Sequence, residues 1–233
     1  MLYAGTSGFA YPTWKPRFYP AELSSKRFLE YYAGRLNSVE INYTFRRLPA
    51  ETTLQNWVAA TPDGFVFCPK AHQRITHIAR LKEPFDFAET FLRALEPLGA
   101  AHRLGPVLFQ LPPFLRCDQA RLGQFLAALP KGLRYCFEFR HESWLADAVY
   151  ETLRKYDAAL CWAESEKLKV AEVSTASFAY LRLRKPQYSP EERRAILQTV
   201  RNLLNEGKDV FTFFKHEETP DGALYAEELL RQV

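Results

Sequence analysis

The chain has 233 residues, of which 47% are hydrophobic and 25% are charged, and this composition excludes a disordered or fibrous protein. Its net charge of +4 permits an anionic partner but lacks the strong positive excess of a dedicated nucleic-acid-binding domain. No apolar run approaches ~18 residues, so we predict no membrane-spanning segment.

No pair among the four cysteines, Cys68, Cys117, Cys136 and Cys161, has the spacing of a zinc finger. We interpret them as buried, reduced thiols, which are typical of a cytoplasmic protein. The first residues lack a basic stretch followed by an apolar run, so we predict no signal peptide.

Taken in chain order, the first half alternates short apolar runs with amphipathic segments. Strands are predicted over residues 2–8, 38–44, 64–70 and 107–111. Helices are predicted over residues 26–35 (capped by Ser25), 49–60 and 84–99. An aromatic loop with Trp14 follows the first strand, and a loop with His72, Arg74 and His77 follows the third.

The second half continues the same alternation. Strands are predicted over residues 134–140, 158–164, 178–184 and 210–216. Helices are predicted over residues 118–129, 144–156 and 222–232, with a further one beginning at Pro190. Their predicted amino-terminal caps are Asp118, Ser143 and Ser189, and proline directly after Ser189 follows the favoured order.

Eight such units in a chain of this length indicate an α/β fold, a TIM-like (β/α)8 barrel that forms a single domain over residues 1–233. An open doubly wound sheet is the alternative. No Gly-x-Gly-x-x-Gly follows the first strand, and no phosphate-binding Gly-Lys-Ser/Thr loop occurs. The barrel is therefore the preferred prediction.

The stretch of residues 134–144 indicates where the site lies. Its aromatic residues alternate with Cys136, Glu138 and Arg140, so a carboxylate and a guanidinium share one face of the strand. Charges directed into an interior need partners or a water-filled cavity. Charged inward positions near the carboxyl end of a strand are typical of a barrel enzyme's active rim.

Polar residues also gather where the other predicted strands end, and in a barrel all these ends meet at one rim. Alternation places Glu40, Glu138, Arg140 and Arg182 inside the mouth, with Lys70 beside them. We predict Glu40, Glu138 and Lys70 as catalytic. The predicted substrate-binding residues are Ser7, Trp14, Asn42, Gln110, Arg140, His141, Arg182 and Arg184. Lys215, His216 and Glu217 end the last strand.

Each of these positions also has a structural interpretation. Glu138 with Arg140, or with an arginine of the seventh strand, could form a buried ion pair that serves only the fold. Trp14 could belong to the core, and the histidines could be loop residues. We favour a functional, water-accessible Glu138–Arg140 pair, for which Glu138→Gln should cost less than about 1 kcal/mol.

The sequence predicts no cofactor and no metal ligands. A divalent metal is a minority interpretation, because no His-Glu-x-x-His or other close ligand spacing occurs.

Several stretches together resemble the YecE-like family, catalogued as domain of unknown function 72. The stretches lie in the first two-thirds of the chain and are residues 5–9 with Tyr11 and Trp14, 18–20, 31–33, 39–42 with 44–45, 75–77 with Phe67 and Lys70, 105–113, and 137–141 with 143–144. The resemblance implies a TIM-type barrel, no established activity, and a likeness to endonuclease-IV-like barrels that suggests a nucleic-acid substrate.

The last third departs from the family's commoner pattern. Where many members carry Arg-x-His-Gly in the seventh strand, this chain has Arg182, Leu183, Arg184 and Lys185. Where many carry Asn-Asn-Asp after the eighth, it has residues 215–217, Lys-His-Glu. These departures shift one side of the predicted site toward positive charge.

Three functions compete on this evidence. The first is an enzyme with hydrolase-type acid/base chemistry on an anionic substrate, either phosphorylated or a nucleic acid. The second is a glycosidase-like hydrolase with Glu40 and Glu138 as its carboxylates. The third is a non-catalytic nucleic-acid-binding protein whose phosphate contacts come from Arg74, Arg80, Lys82, Arg184 and Lys185. The predicted partner is an anionic small molecule or nucleic acid, not a membrane, and the sequence does not predict an oligomeric state.

Overall fold

A computed structural model of the protein describes residues 1–215 and 218–233. Within these residues the chain forms eight short strands, and α-helices follow most of them. The strands are β1 (Leu2–Thr6), β2 (Ser38–Ile41), β3 (Val66–Pro69), β4 (Val107–Gln110), β5 (Tyr135–Glu138), β6 (Ala159–Ala163), β7 (Phe178–Leu183) and β8 (Asp209–Phe214). The helices are α1 (Phe28–Ala33), α2 (Glu51–Ala59), α3 (Asp86–Arg93), α4 (Glu96–Ala100), α5 (Gln119–Ala128), α6 (Asp147–Lys155), α7 (Pro190–Asn205) and α8 (Asp221–Gln232).

The strands are parallel and form a curled sheet. Six of them form one continuous ladder in the order β1-β8-β7-β6-β5-β4, and β2 pairs with β3 in a second ladder. The α/β class and the parallel curled sheet agree with the sequence prediction. The continuous hydrogen-bonded ladder extends over six strands and gives a half-barrel rather than an uninterrupted eight-stranded wall.

The concave face of this sheet is closed at its amino-terminal end by small and aromatic side chains. Cys68, Leu108, Cys136, Cys161 and Tyr180 belong to one buried cluster there, together with Phe211 and Phe213. Near-continuous burial along strands such as β4 and β5 follows from helices that cover the convex face.

Two predicted helix caps are confirmed and two are wrong. The Asp118 side chain accepts the Arg121 amide at 3.0 Å, and Ser189 forms a reciprocal capping box with Glu192. Ser25 instead begins a 3-10 turn before α1. The Ser143 hydroxyl accepts the Cys117 amide at 2.8 Å, and Ser143 lies within a 3-10 turn over Glu142–Trp144 that precedes α6.

The chain between β6 and β7 contains no helix within the described residues. The predicted helix over residues 84–99 is divided into α3 and α4, with Pro97 in the first turn of α4. No helix in the described part of the chain has both the length and the apolar composition needed to cross a bilayer.

Trp14 lies in the aromatic core, which corrects its predicted role in a binding pocket. Its side chain is fully buried and packs against Phe18 and Tyr19, with ring centroids 5.6 and 5.9 Å away. Tyr19 in turn stacks on Phe28 at 4.1 Å. The loop after β1 therefore covers the outside of the sheet instead of its mouth, because aromatic surface gains most when it is removed from water.

Candidate functional site

A polar layer lies at the carboxyl ends of the strands, one step beyond the apolar cluster on the concave face. Side chains on one face of a strand recur every second residue, so each polar residue follows a buried one by two positions. Cys68 precedes Lys70, Leu108 precedes Gln110, and Cys136 precedes Glu138. The polar layer consists of Glu40, Lys70, Gln110, Glu138 and Arg182.

Glu40, at the end of β2, is fully buried, and each of its oxygens is hydrogen-bonded. The Ser7 hydroxyl donates to Oε1 at 2.7 Å, and the Tyr180 hydroxyl donates to Oε2 at 2.8 Å. Arg182 Nη2 donates to Oε1 at 2.6 Å. These three donors occupy both oxygens of a carboxylate that is closed off from solvent.

Glu138, at the end of β5, is only 1% exposed and is bound by three side chains. Gln110 Nε2 donates to its two oxygens at 2.9 and 3.0 Å, Arg184 Nη2 donates at 2.9 and 3.1 Å, and Arg182 Nη1 donates to Oε2. Burial alone would raise the pKa of the Glu138 carboxyl, but Arg182 and Arg184 outweigh it and hold that pKa at about 2. Glu138 therefore remains a carboxylate that orients the arginines.

Arg182 joins the two carboxylates across the concave face. Its guanidinium is 2% exposed and donates to Glu40 through one terminal nitrogen and to Glu138 through the other. Burial would lower the pKa of this guanidinium, but Glu40 and Glu138 raise it well above its ordinary value. In the register, small Ala163 lies opposite Arg182 on β6 and leaves room for the long side chain.

Lys70 follows β3 directly, and its half-buried ammonium group forms no salt bridge with a carboxylate of the described residues. Nζ donates to Gln110 Oε1 at 2.8 Å and lies 4.2 Å from the centroid of the Phe45 ring. Burial, followed by the positive charge of Arg182, lowers the pKa of Lys70 to about 8, although Glu40 and Glu138 act in the opposite direction. Lys70 is thus the layer's side chain that is suited to exchange a proton near neutral pH.

A mouth pocket of about 240 Å³ opens beside Glu138. Its basic side chains are Arg140, His141, Lys167 and Arg184. The pocket is lined by Pro113, Glu138, Phe139, Arg140, His141, Glu142, Ala163, Glu164, Ser165, Lys167, Leu168, Val170 and Arg184. Glu164 is occupied at its Oε2, which accepts the Arg184 amide at 2.6 Å and the Tyr188 hydroxyl.

Arg140 is exposed at the rim of the mouth pocket and does not pair with Glu138, which corrects the predicted Glu138–Arg140 unit. Within the described residues its side chain makes no ion pair or hydrogen bond. The ladder of β5 ends at Glu138, so the alternation no longer applies two residues later. The buried partners of Glu138 are Arg182 and Arg184, the alternative that the sequence had left open.

The remaining predicted binding residues lie around the polar layer and differ in burial and in hydrogen-bond partners. Ser7 is buried on Glu40, and Gln110 links Lys70 to Glu138. Asn42 is half-buried just after β2 and makes no side-chain hydrogen bond to the described residues. His141 lines the pocket and uses Nδ1 to accept the Ser143 amide at 3.1 Å. His216 and Glu217 lie outside the described residues.

Sequence reasoning missed Tyr180 and the pair Phe45 and His77. Tyr180 lies two residues before Arg182 on the same face of β7, so the alternation of side chains along this strand indicates that its hydroxyl faces Glu40. Phe45 ends a 3-10 turn over Tyr43–Phe45, and His77 lies in a π-helical turn over Arg74–Ile78, with their ring centroids 5.0 Å apart. Burial, and then the positive charges of Lys70 and Arg140, lower the pKa of His77.

Among residues 1–215 and 218–233 no three His, Cys, Asp or Glu side chains converge in a way that could hold a metal ion. The four cysteines are free thiols, of which Cys68, Cys136 and Cys161 are buried.

Comparison with known proteins places the chain in a family. The family model described as "Protein of unknown function DUF72" matches residues 3–233. The chain belongs to the DUF72 family. The resemblance noted in residues of the first two-thirds therefore extends over nearly the whole chain.

Other DUF72-type proteins support the assignment. The chain is 28% identical over 179 residues to the UPF0759 protein YunF of Bacillus subtilis (strain 168), and the match covers 71% of this chain and 60% of that protein. The chain thus spans less than two-thirds of YunF. A crystal structure of a DUF72 family protein from Thermotoga maritima MSB8 is similar over 100% of this chain and 98% of its own, with 28% identity and a TM-score of 0.87.

A DUF72 family protein from Enterococcus faecalis V583 has the same fold, with a TM-score of 0.82 at 17% identity, over 99% of this chain and 96% of that one. These relatives establish the DUF72 fold and no activity. The function of the site must therefore be argued from its own chemistry.

Proposed function

We propose that this DUF72 chain is an enzyme that binds an anionic substrate at the mouth pocket and exchanges protons through Lys70. We also infer that the two ladders form the wall of one (β/α)8 barrel. Isolated parallel bridges join the ladders at both junctions. Ser7 pairs with Glu40 at one, and Phe67 pairs with Leu104 and Lys70 with Leu108 at the other. An active site at the carboxyl ends of the strands is the usual arrangement in such barrels.

The observation that carries the proposal is positive charge without a carboxylate partner. Glu40 and Glu138 are saturated by Arg182, Arg184 and neutral donors. Lys70 and Arg140, in contrast, make no ion pair within the described residues. An anion at the mouth would supply the acceptor that Arg140 lacks. Lys70 lies behind the pocket lining and is connected to Glu138, which lines the pocket, through Gln110.

Arg184 connects the buried layer to the pocket and is suited to hold the substrate. Its side chain is 23% exposed, and Nη2 is fixed on Glu138. Its Nε is buried and has no hydrogen-bond partner among the described residues. Because a buried donor without an acceptor is unfavourable, an anion bound beside Arg184 and Arg140 would gain contact with guanidinium groups that the protein has already oriented.

Lys70 supplies the acid/base group in this proposal. In its neutral form it can take a proton from a water molecule that attacks a phosphoester, either in a small molecule or in a nucleic acid. Lys70 Nζ donates one hydrogen bond to Gln110 Oε1 at 2.8 Å, and this bond fixes the position of the amine. The lone pair of the neutral amine stays available to accept the proton. Hydrolase-type chemistry thus depends on Lys70 instead of the two glutamates.

The glycosidase-like alternative has less support from this geometry. A general acid in that reaction needs a carboxyl whose pKa is raised, whereas the pKa of Glu138 is lowered to about 2 by its arginines. Glu40 is fully buried under Ser7, Tyr180 and Arg182. The geometry therefore favours Lys70 over the carboxylate pair as the acid/base group.

Calorimetric titration with inorganic phosphate tests the anion site. Arg140→Met should weaken phosphate binding about 10-fold or more, because a hydrogen bond to a charged group contributes about 1.5 to 3 kcal/mol. Arg140 makes no ion pair with the described residues, so the variant should keep the stability of the wild type. Lys131→Met is the matched control, because exposed Lys131 precedes β5 at the opposite end and its loss changes net charge equally.

Equal weakening in both variants would mean that phosphate responds only to net charge, and no binding by the wild type would remove the site. A third outcome separates the binding-only function. Exposed Arg74, Arg80 and Lys82 follow β3 at the same edge of the sheet. If single-stranded DNA binds with steep salt dependence and is not displaced by phosphate, these residues form a nucleic-acid surface instead.

A further inference from the structure

The surroundings of the Lys70 amine favour covalent chemistry as well as proton exchange. Nζ has one strong acceptor, Gln110 Oε1 at 2.8 Å, and the Phe45 ring lies below it at 4.2 Å. No carboxylate within the described residues pairs with it, although Glu40 and Glu138 lie near enough to act on its charge. A lysine held by a neutral amide and an aromatic face keeps its nitrogen lone pair available once it loses a proton.

Its environment also favours the neutral, nucleophilic form. Burial is the largest influence and the neighbouring Arg182 cation is the second, and together they lower the pKa from 10.5 to about 8. At neutral pH this gives roughly 300-fold more free amine than an ordinary lysine has. Desolvation next to another cation is the general means by which proteins activate lysine toward carbonyl groups.

We propose that Lys70 is an imine-forming nucleophile whose substrate is a small aldehyde or ketone that carries an anionic group. The inference rests on the proposed function, since the mouth pocket with Arg140 and Arg184 would hold the anion. It narrows the substrate class from anions in general to anionic carbonyl compounds, and it gives Lys70 a covalent role.

The reaction balances without an oxidant or reductant. The Nζ lone pair forms a bond to the carbonyl carbon while the carbon–oxygen π pair moves to oxygen. A proton passes from nitrogen to oxygen and gives a carbinolamine. The nitrogen lone pair then forms the C=N bond as the C–O bond breaks, and the oxygen leaves as water after it takes a second proton. The positive charge of the iminium is stabilised by Glu40 and Glu138, which already act on Nζ.

Reductive trapping tests the proposal with a defined probe. The protein is incubated with pyridoxal 5′-phosphate, an aldehyde with a phosphate group, and treated with sodium borohydride, which supplies the hydride that makes the imine permanent. Peptide mass analysis should find one dominant label, on Lys70. Lys70→Arg should abolish that label. Lys155→Arg, which changes an exposed lysine at the end of α6, should leave it unchanged.

Two further measurements keep the result decisive if Lys70→Arg fails to fold. In the wild type, the labelling rate of Lys70 should rise with a midpoint near pH 8, whereas exposed lysines should rise at higher pH. Pyridoxal without its phosphate should label Lys70 at least about 10-fold more slowly, because it lacks the group that Arg140 and Arg184 would bind. Labels scattered over the exposed lysines, with Lys70 among the least modified, would overturn the proposal.

The labelling experiment tests the imine, and the phosphate titration tests the anion site, so either proposal can fail without the other. Phosphate binding that depends on Arg140, combined with no label on Lys70, would leave the anion site in place and remove the imine. A label on Lys70 that forms equally fast with pyridoxal, and that is unchanged in Arg140→Met, would support the nucleophile and remove the anion site.

Discussion

Arg182→Met should destabilise the protein by about 3 to 5 kcal/mol, because removing one partner of a buried ion pair leaves an uncompensated charge in the interior. Here two carboxylates lose their shared guanidinium, and Glu40 and Glu138 are 0% and 1% exposed. The loss is a large part of the ~5 to 15 kcal/mol of a typical domain. Urea unfolding followed by circular dichroism measures it.

Arg154→Met provides the control for this measurement. Arg154 pairs with Glu151 on α6, and both side chains are exposed, at 42% and 70%. An exposed pair contributes at most about 1 kcal/mol, so this variant should unfold close to the wild type. Similar unfolding of both variants would mean that the polar layer does not depend on Arg182.

The triple variant Glu40→Gln, Glu138→Gln, Arg182→Met should recover most of the stability lost in Arg182→Met. Replacing a whole buried charge network by neutral groups is often nearly neutral, whereas removing one member is not. Recovery would show that the loss comes from stranded charge and not from the packing of the arginine stem. Additive losses in the triple variant would contradict this explanation.

Glu138→Gln should cost about 3 to 5 kcal/mol at neutral pH, which reverses the small effect expected from the sequence. That expectation assumed a water-accessible pair with Arg140, whereas Glu138 is buried between Arg182 and Arg184. The substitution keeps the shape of the side chain and removes the negative charge that both guanidiniums face. Urea unfolding at pH 7 gives the magnitude.

The pH dependence of the same variant checks the cause. The pKa of Glu138 is lowered from 4.5 to about 2 in the folded protein, mainly because its arginines outweigh the effect of burial. A carboxyl with a lowered folded pKa contributes stability that is complete above its unfolded pKa and is lost as pH falls toward the folded value. The gap between wild type and Glu138→Gln should therefore shrink between pH 4.5 and 2. A gap that stays constant over this range would contradict the assigned ionisation.

Much of the polar layer was predictable because period-two alternation decides which side chains face inward. Glu40, Glu138 and Arg182 lie within strands, so their parity holds. Arg140 follows the end of β5, where no ladder fixes the direction of its side chain. Arg184 also lies past its strand, yet its amide donates to Glu164 Oε2 at 2.6 Å, which keeps the chain extended and the parity intact.

Loop residues were harder to place, since their packing depends on contacts distant in sequence. Trp14 was assigned to a pocket from its loop position, but Phe18 and Tyr19 bury it. The strand count followed from apolar runs of the right length. The break of the ladder into six and two strands did not follow from the sequence, because it depends on pairing between strands, which is reduced to isolated bridges where β2 meets β1 and β3 meets β4.

Titration of Lys70 by NMR tests most directly whether this lysine is activated beside an anion site. The protein carries ¹³C-labelled lysine, and the Lys70 resonance is assigned by its loss in Lys70→Arg. The Lys70 amine should titrate at about 8 instead of 10.5, because burial and Arg182 disfavour its charged form. Saturating inorganic phosphate should move this midpoint upward, since a bound anion stabilises the ammonium, and Arg140→Met should weaken that response. A midpoint near 10.5 that phosphate does not change would contradict both an activated lysine and an anion site at the mouth.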